Sequence, residues 1–369
     1  MFRGRPPLFK NVAKMKNLCN SLARKKSKLS YNVLMILCTG EAVIDMVQTH
    51  VPGLGEVFLP LPGGCCYNTS IAIGRLGVPA AFLGRLSTNF FGEIQAKRLR
   101  ENHVRNELLL RCEQNPILAF IKTEKGKEPE YAFYEEGTAD RSLSAEELPP
   151  LPDDISCIAF GSVSMCMEPI ASTIEGLIMK EARRGTVIAF DPNIRPFMIK
   201  NRDAYMKRFE KWMSVCTIAK ISSEDFEFIF PGLEPLDALK KIIDWGARLA
   251  IVTLGPNGAA AMLKRDDGSV TNADAPAAKI GAVADTEGAV TEGAVTVGAD
   301  TVGAGDTFQG AFLAWLEQRG RMSPNAIASL SEHDLRDALI FANKAAAIVC
   351  TRRGAQPPTL EELEKLVDI

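Results

Sequence analysis

The sequence has 369 residues, of which 46% are apolar and 24% are charged. These proportions exclude a disordered, collagen-like or coiled-coil protein, and the length suits one large α/β core or two smaller ones. The longest apolar runs, such as 155–160 and 345–350, fall far short of the ~20 residues that a membrane-spanning helix needs, so no membrane partner is expected.

The first 32 residues differ in composition from the rest of the chain. They carry nine lysines and arginines and no aspartate or glutamate, whereas the remainder is acidic. Such a segment is typical of an organelle transit peptide, of a flexible basic tail, or of translation from a start codon upstream of the true one. The last interpretation gains support from Met35, which begins the first convincing buried strand. We expect residues 1–32 to be a disordered leader or tail and 33–369 to be the folded domain.

From residue 33 onward, apolar β-rich runs alternate with amphipathic helical patterns. The predicted buried strands are 33–38, 80–83, 155–160, 187–190, 217–221 and 249–253. The predicted helices are 66–76, 92–102, 168–184, 202–213 and 235–246. This alternation predicts an α/β fold, with a doubly wound, mostly parallel sheet and helices on both faces.

Two stretches interrupt the alternation. Residues 107–134 alternate apolar and polar positions around a charged turn, which predicts a β-hairpin that could serve as a small β lid or a dimer clasp. Residues 286–305 are four tandem pentads of the pattern Thr-[Glu/Val]-Gly-Ala-x, whose period fits neither a helix nor a strand. We interpret 286–300 as a duplicated loop.

The cysteines and histidines show no metal-binding spacing. Nine cysteines include the neighbours Cys65 and Cys66 but no Cys-x-x-Cys pair, and the three histidines lie apart from one another and from the cysteines. A zinc site or a disulfide framework is therefore not expected, and a reducing compartment is favoured. We expect the cytoplasm, unless the basic leader directs import into an organelle. The lack of a basic stretch with interleaved aromatic residues argues against a nucleic-acid partner.

The first candidate site is a glycine-rich turn at 300–308, Asp-Thr-Val-Gly-Ala-Gly-Asp-Thr-Phe, which opens an apolar helix. The amides of Gly303, Ala304 and Gly305 and the helix dipole would converge there on an anion. Asp306 lies at the same helix start, where it could remove a proton from an attacking hydroxyl. The alternative is that Asp306 only caps the helix.

The second candidate site begins with the paired glycines Gly63 and Gly64, which precede a predicted helix. Asn68, one turn into that helix, can both donate and accept, which suits the vicinal hydroxyls of a sugar. The alternative is a glycine turn followed by an exposed asparagine. Asp45 follows the first strand, and at the carboxyl end of a parallel strand it would point into a ligand crevice.

Other phosphate-binding motifs are missing from the sequence. No G-x-x-x-x-G-K-[ST] occurs, and no G-x-G-x-x-G follows a strand, so P-loop, protein-kinase and dinucleotide-binding functions lack their motifs.

The two candidate sites together resemble those of the PfkB (ribokinase-like) family of carbohydrate kinases. The resemblance covers nearly all of 33–369. The family's D-T-x-G-A-G-D-x-F signature matches at 300–308, and its G-G-x-x-x-N-x-A signature at 63–70 has Ser70 in place of alanine.

This resemblance implies transfer of the γ-phosphoryl group of ATP to a primary hydroxyl of a sugar, with Mg²⁺ as cofactor. The apolar face of the β lid, which no predicted helix covers, predicts a homodimer formed through the lid. It implies that Asp306 is the catalytic base and that Gly303, Ala304 and Gly305 form the anion hole. The implied sugar contacts are Asp45, Gly63, Gly64, Asn68 and Arg195. The implied nucleotide contacts are Ser222, Asp225, Thr253, Gly255, Gly258 and Asn343. Glu224 would approach Mg²⁺ through water, and Asp300 would neighbour the K⁺ that some relatives use.

Ser222 and Asp225 depart from the family pattern, because they stand where its N-x-x-E motif has asparagine and glutamate. Four stretches, 132–141, 161–169, 191–196 and 351–355, are similar to fructokinases, although 2-keto-3-deoxygluconate kinases share much of this pattern. Fructose is therefore the favoured substrate and the keto sugar acid the alternative. A binding protein without kinase activity is a further alternative, against which the intact 303–306 segment argues.

Overall fold

The computed structural model describes residues 34–122, 130–278 and 301–365. Contacts divide the chain into a unit at 1–34 and a unit at 35–369, and the elements below belong to the second. The leader, the centre of the predicted hairpin, Asp300 and the loop 286–300 lie outside the described residues. Within the described part of the chain, no helix is long and apolar enough to cross a membrane.

Fourteen strands and ten α-helices lie within these described ranges. The strands are β1 Met35–Thr39, β2 Val43–Val51, β3 Gly55–Gly63, β4 Ala80–Ser87, β5 Val104–Arg105, β6 Leu109–Cys112, β7 Leu118–Lys122, β8 Glu130–Tyr134, β9 Ile155–Gly161, β10 Val187–Asp191, β11 Ile218–Ser222, β12 Leu249–Thr253, β13 Ala259–Lys264 and β14 Val270–Ala275. The helices are α1 Cys65–Arg75, α2 Phe90–Glu101, α3 Ile170–Ala182, α4 Arg202–Met213, α5 Ser223–Ile229, α6 Pro235–Asp244, α7 Ala304–Gln318, α8 Pro324–Ala328, α9 Glu332–Val349 and α10 Leu360–Glu364.

Ten of these strands form one sheet in the order β14-β13-β12-β11-β10-β9-β1-β4-β5, with β6 beside β4. In this spatial order, all neighbouring strands between β5 and β12 are parallel, and so is the β4–β6 pair. The strand β13 is antiparallel to both β12 and β14. Successive residues of β1, β9 and β10 enter two separate apolar clusters. Because neighbouring side chains on a strand point to opposite faces, each face of the sheet has its own core. The predicted doubly wound α/β fold is confirmed.

The two cores are built from different helices. One contains Phe308, Phe312 and Trp315 of α7 together with α1 and α9 residues. The other contains Phe209 and Trp212 of α4, packed near the sheet's phenylalanines and against α3 and α6. Both functional motifs of the sequence, the starts of α1 and α7, therefore belong to the same side of the sheet.

A second, four-stranded sheet has the order β3-β2-β7-β8 and is called the lid below. The sequence analysis predicted only its β7–β8 hairpin, and it placed the beginning at about residue 107. That beginning was wrong, because β6 pairs with β4 of the large sheet. The strands β2 and β3 were not predicted, and in β3 Pro60 and Pro62 interrupt the β pattern. Proline is tolerated there because β3 is an edge strand, where a missing N–H costs little.

Helices α1 and α7 approach each other closely at Gly310. A Cβ atom on Gly310 would lie 2.7 Å from Cβ of Ala72 and 2.9 Å from the carbonyl oxygen of Thr69. A side chain at this position would therefore push the two helices apart. The close approach brings the first turn of α7 beside the residues of α1.

We predict that Gly310→Ala lowers the free energy of unfolding by about 1–3 kcal/mol, the usual cost of overpacking a tight contact. Urea denaturation measures the change. Gly176→Ala is the matched control, because Gly176 lies inside α3 with no neighbour near its missing Cβ. That control should be neutral or stabilising by up to about 1 kcal/mol, since alanine favours a helix over glycine. Equal effects of the two substitutions would contradict the close-packing argument.

Candidate active site

The candidate site lies where the parallel strands of the large sheet end. The register pairs Asp191 at the end of β10 with Gly161 at the end of β9, and Ser222 at the end of β11 with Thr253 at the end of β12. Parallel strands end at the same edge of a sheet, and in doubly wound folds that edge holds the ligand crevice. The N-terminal ends of α1 and α7 lie against this edge, so the two motifs and the strand ends form one site.

Asp306 lies in the first turn of α7 and is 7% exposed. Its Oδ2 atom accepts a hydrogen bond of 2.8 Å from Nδ2 of Asn68 in α1. Burial raises the pKa of Asp306, although the hydrogen bonds from Asn68 and Cys65 and the charge of Lys220 oppose the rise. The carboxylate can therefore take up a proton more readily than an exposed aspartate. The structure thus joins the two motifs that the sequence analysis singled out.

The oxygen of the Asn68 side chain has a different environment from its nitrogen. Asn68 is 5% exposed, and its Oδ1 atom accepts no hydrogen bond from the described residues. A buried acceptor without a donor is costly, so a ligand hydroxyl that donates to Oδ1 would be bound favourably.

Asp45 lies in β2 of the lid, not directly at the end of β1 as the sequence analysis expected. Its carboxylate lies against Gly63, where a Cβ atom would collide with it. Burial raises the pKa of Asp45 to about 7; the charge of Asp306 adds to the rise, and that of Arg195 opposes it. These electrostatic contacts put Asp45, Asp306 and Arg195 in one site. The guanidinium of Arg195 also donates to Asn193 of its own loop.

Lys220 and Asp191 form a buried ion pair that the sequence analysis missed. The Lys220 Nζ atom is 2.7 Å from Oδ2 of Asp191, and both residues are 3% exposed. Burial raises the pKa of Asp191 to about 6, while the Lys220 charge lowers it. A Cβ atom on Gly305 would be 3.1 Å from Nζ, so this ammonium lies against the first turn of α7. The signal in the sequence was a lysine inside the otherwise apolar strand β11.

The turn before α7 corrects part of the predicted anion hole. Gly303 caps the helix in the left-handed region at φ 78°. The amide of Ala304 donates to the carbonyl of Thr301 at 3.1 Å, so it closes the turn and is not free for an anion. The amides of Gly305 and Asp306 belong to the first helical turn, where no intrahelical acceptor exists. Together with Lys220, they fit a bound phosphoryl group.

The start of α1 is held by Glu41, a buried residue that the sequence analysis did not single out. Its two carboxylate oxygens accept from the amides of Cys65 at 3.2 Å and Ser164 at 3.1 Å. A Cβ atom on Gly64 would lie 2.6 Å from the carbonyl oxygen of Glu41, and Gly64 has φ 112°. Only glycine therefore allows this approach between the first strand and α1.

The predicted nucleotide contacts at β11 have hydrogen-bonding roles within the protein. Ser222 and Asp225 form the capping box of α5. Oδ1 of Asp225 accepts from the amide of Ile194 at 2.6 Å, and Oδ2 accepts from Ser222. Both oxygens are thus engaged, which leaves the neighbouring exposed Glu224 better placed to approach a hydrated metal ion. Their contact with a nucleotide stays a prediction.

The other predicted nucleotide contacts gather around the end of β14. The Nδ2 atom of Asn343 in α9 donates to the carbonyls of Ala275 and Pro276. Gly258 packs against the same Ala275 carbonyl. Gly255 begins the short turn 255–257, directly after the strand that ends at Thr253. The structure brings these residues to one region, and their role toward ATP stays a prediction.

The donor groups of the site fit a nucleotide and its metal ion. Free amides at a helix start and the ammonium of Lys220 suit phosphate oxygens, and the carboxylate of Glu224 suits Mg²⁺, which prefers oxygen ligands and keeps several waters. Asp300, predicted beside K⁺, lies outside the described residues.

The chain has relatives among known proteins. The model of the pfkB family carbohydrate kinases matches residues 33–363. A fructokinase from Rhizobium leguminosarum bv. trifolii is 37% identical over 306 residues, which cover 82% of this chain and 86% of that protein.

Two solved structures share the fold. A fructokinase from Xylella fastidiosa with bound ATP has a TM-score of 0.76 at 24% identity and covers 90% of this chain and 97% of that chain. A fructokinase double mutant from Vibrio cholerae O395 bound to fructose, ADP and potassium ion has a TM-score of 0.73 at 22% identity, and the coverage is 91% and 99%.

We predict that Asp45→Asn stabilises the protein more at pH 8 than at pH 5. The folded-state pKa of about 7 lies above the ordinary value of 3.8, so Asp45 favours folding at low pH. This contribution is lost as the pH rises from about 4 to about 7, and asparagine avoids the loss. Thermal unfolding at both pH values should show a Tm increase of a few degrees at pH 8 and a smaller one at pH 5.

Asp153→Asn is the control, because the side chain of Asp153 is 99% exposed. Its effect on Tm should be the same at both pH values. A pH-independent effect of Asp45→Asn would show that the charge of Asp45 is not the source of the instability.

Proposed function

The chain belongs to the pfkB family of carbohydrate kinases, as its motifs predicted, and from this premise we propose that it transfers the γ-phosphoryl group of ATP to a primary hydroxyl of fructose. Family membership over residues 33–363 makes the chain a sugar kinase. The choice of fructose is supported by the fructokinase that is 37% identical to this chain.

The observation that carries the proposal is the hydrogen bond between Asn68 and Asp306 at the start of a helix. It holds a buried carboxylate beside an amide whose oxygen still needs a donor. A sugar hydroxyl that donates to Asn68 Oδ1 would bring a neighbouring hydroxyl to Asp306. Asp45 and Arg195 would bind further hydroxyls from the lid side, because both lie close enough to act electrostatically on the same site.

The proposed proton transfer follows from this geometry. Asp306 accepts the proton of the attacking hydroxyl through its carboxylate, whose other oxygen remains oriented by Asn68. The raised pKa of Asp306 makes the carboxylate a stronger base than an exposed aspartate. The charge of Lys220 opposes this rise in pKa and so favours the ionised carboxylate that the transfer needs.

The phosphoryl group that is transferred needs positive charge around it. The first-turn amides of α7 and the ammonium of Lys220 would stabilise its oxygens as the bond to ADP breaks. Mg²⁺, when bound with ATP, supplies further charge compensation, and Glu224 would hold it through water. K⁺ beside the turn before α7 remains part of the proposal.

The lid would exclude water from this reaction. Its inner face carries Asp45 and Phe133, which lie in register through Ala119 of β7. Tyr131 and Phe133 contact Phe197, which follows the Arg195 loop, with ring centroids 6.2 and 5.4 Å apart. A sugar bound under this sheet would be shielded, which favours phosphorylation over hydrolysis of ATP.

The proposal is tested with an ATP-coupled assay over fructose, 2-keto-3-deoxygluconate, ribose and glucose. We predict the highest kcat/KM for fructose. Asp306→Asn should bind fructose but lose about 10²–10⁴-fold in kcat, because an amide cannot accept the proton. A higher kcat/KM for 2-keto-3-deoxygluconate than for fructose would show that the keto sugar acid is the substrate. Binding of fructose without turnover by the wild type would favour a regulator, and an active Asp306→Asn variant would remove this residue from the mechanism.

We also propose a homodimer, formed through the outer face of the lid, and a cytoplasmic location. On this face Phe58, Phe120 and Tyr134 form a row of ring contacts at 5.1 and 5.6 Å. Phe58 is 43% exposed and Tyr134 is 63% exposed. Exposed aromatic side chains in a continuous row are typical of an interaction surface, and β3 presents an unpaired edge strand beside them.

We predict that Phe58→Glu shifts the protein from dimer to monomer, because a charge would be buried in the proposed interface. Sedimentation equilibrium measures the molecular mass over a range of concentrations. Phe90→Glu is the control, since Phe90 is 67% exposed at the start of α2, outside the lid. A wild type that is monomeric at all concentrations, or a dimer that Phe58→Glu leaves intact, would contradict the proposed interface.

A further inference from the structure

Cys65 lies between two carboxylates of the site. Its Sγ atom is 3.8 Å from Oδ2 of Asp191. The ligand atoms of Cys65, Asp191 and Asp306 all lie within 4.8 Å of one another. Spacing in the sequence could not show this cluster, because its three members come from α1, the end of β10 and α7.

One oxygen of Asp191 has no partner in this arrangement. Oδ2 accepts from Lys220, whereas Oδ1 accepts no hydrogen bond from any described residue, although Asp191 is only 3% exposed. Such an oxygen is costly to leave unsatisfied. The proposed proton transfer does not use it, so the carboxylate retains a ligand atom that a cation could contact.

The spacing of the cluster is close to that of a tetrahedral zinc site. Zinc bonds of about 2.3 Å to sulfur and about 2.0 Å to oxygen separate the sulfur and oxygen ligands by about 3.5 Å. The distance of 3.8 Å between Sγ of Cys65 and Oδ2 of Asp191 is close to this separation. The three ligand atoms lie within 4.8 Å of one another, so side-chain rotations that bring them inward by up to about 1 Å would complete the site. A sulfur ligand favours zinc or cadmium over Mg²⁺ and Ca²⁺, which prefer oxygen alone.

We propose that Cys65, Asp191 and Asp306 form an inhibitory site for a thiophilic divalent cation such as Zn²⁺. On binding, the S–H bond of Cys65 is replaced by a sulfur–metal bond, and the proton leaves to the buffer. The thiolate and the two carboxylates then balance the charges of the metal ion and Lys220. The bound cation occupies the carboxylate of Asp306 and keeps the sugar hydroxyl away from it. The inhibition rests on the proposed role of Asp306 as base, whereas the binding does not.

Binding is tested on the full chain without nucleotide. We expect Cd²⁺ to produce an ultraviolet cadmium–thiolate absorption band in the wild type and in Cys66→Ala, and a band at least tenfold weaker in Cys65→Ala. Cys66 is the matched control, because it is also buried and lies next to Cys65 in the same helix. Cys65→Ser is a second variant, which keeps a polar group of similar size if alanine impairs folding.

The same proteins are then tested with Zn²⁺. Zn²⁺ should inhibit the wild type and Cys66→Ala at concentrations at least tenfold lower than those that inhibit Cys65→Ala, and fructose should weaken Cd²⁺ binding. A missing band in the wild type, or a band that depends on Cys66 and not on Cys65, would overturn the site. A band without Zn²⁺ inhibition would leave binding intact but refute the inhibitory role.

Discussion

The close packing of α1 on α7 determines the rest of the site. Asn68 and Asp306 are 238 residues apart in sequence, and their hydrogen bond exists only because the two helices meet at Gly310. The helices share one apolar core on one face of the large sheet. The apolar packing thus fixes the position of a polar pair whose own net contribution to stability is only about 1 kcal/mol.

This position concentrates acidic groups at one edge of the sheet. Burial raises the pKa of four carboxylates in this region, Glu41, Asp45, Asp191 and Asp306. Lys220 compensates only part of this charge, so the edge is less stable than an apolar surface of the same shape would be. The raised pKa makes these carboxylates stronger bases than exposed ones, and an oxygen without a partner, such as Oδ1 of Asp191, can still bind a hydroxyl or a cation. Instability and reactivity therefore have one origin.

Much of the fold, and the two helix starts that meet at the candidate site, could be predicted from the sequence. Apolar runs marked the buried strands, and the glycine motifs marked both helix starts, because these signals are local. The pair of Lys220 with Asp191 and the cluster at Cys65 could not be predicted, since they depend on which strands lie side by side. The motif predicts that Asp225 contacts the nucleotide, which stays a prediction, and it gave no sign that the two oxygens also serve the α5 capping box and the Ile194 amide. A motif identifies a position and not the partners that the fold supplies.

Side chains alternate along the lid strands, so the lid has an inner face toward the candidate site and an outer face that carries the aromatic row. Asp45 in β2 faces the site, while its neighbour Met46 lies in register with Phe120 on the outer face. A change of one residue in the pairing of β2 would exchange these faces, because the side-chain period of a strand is two. It would remove the carboxylate from the proposed sugar site and put Met46 in its place, whereas the outer aromatic row, whose members belong to β3, β7 and β8, would keep its face. The uninterrupted pairing of β2 with β3 over nine residues therefore holds Asp45 on the inner face.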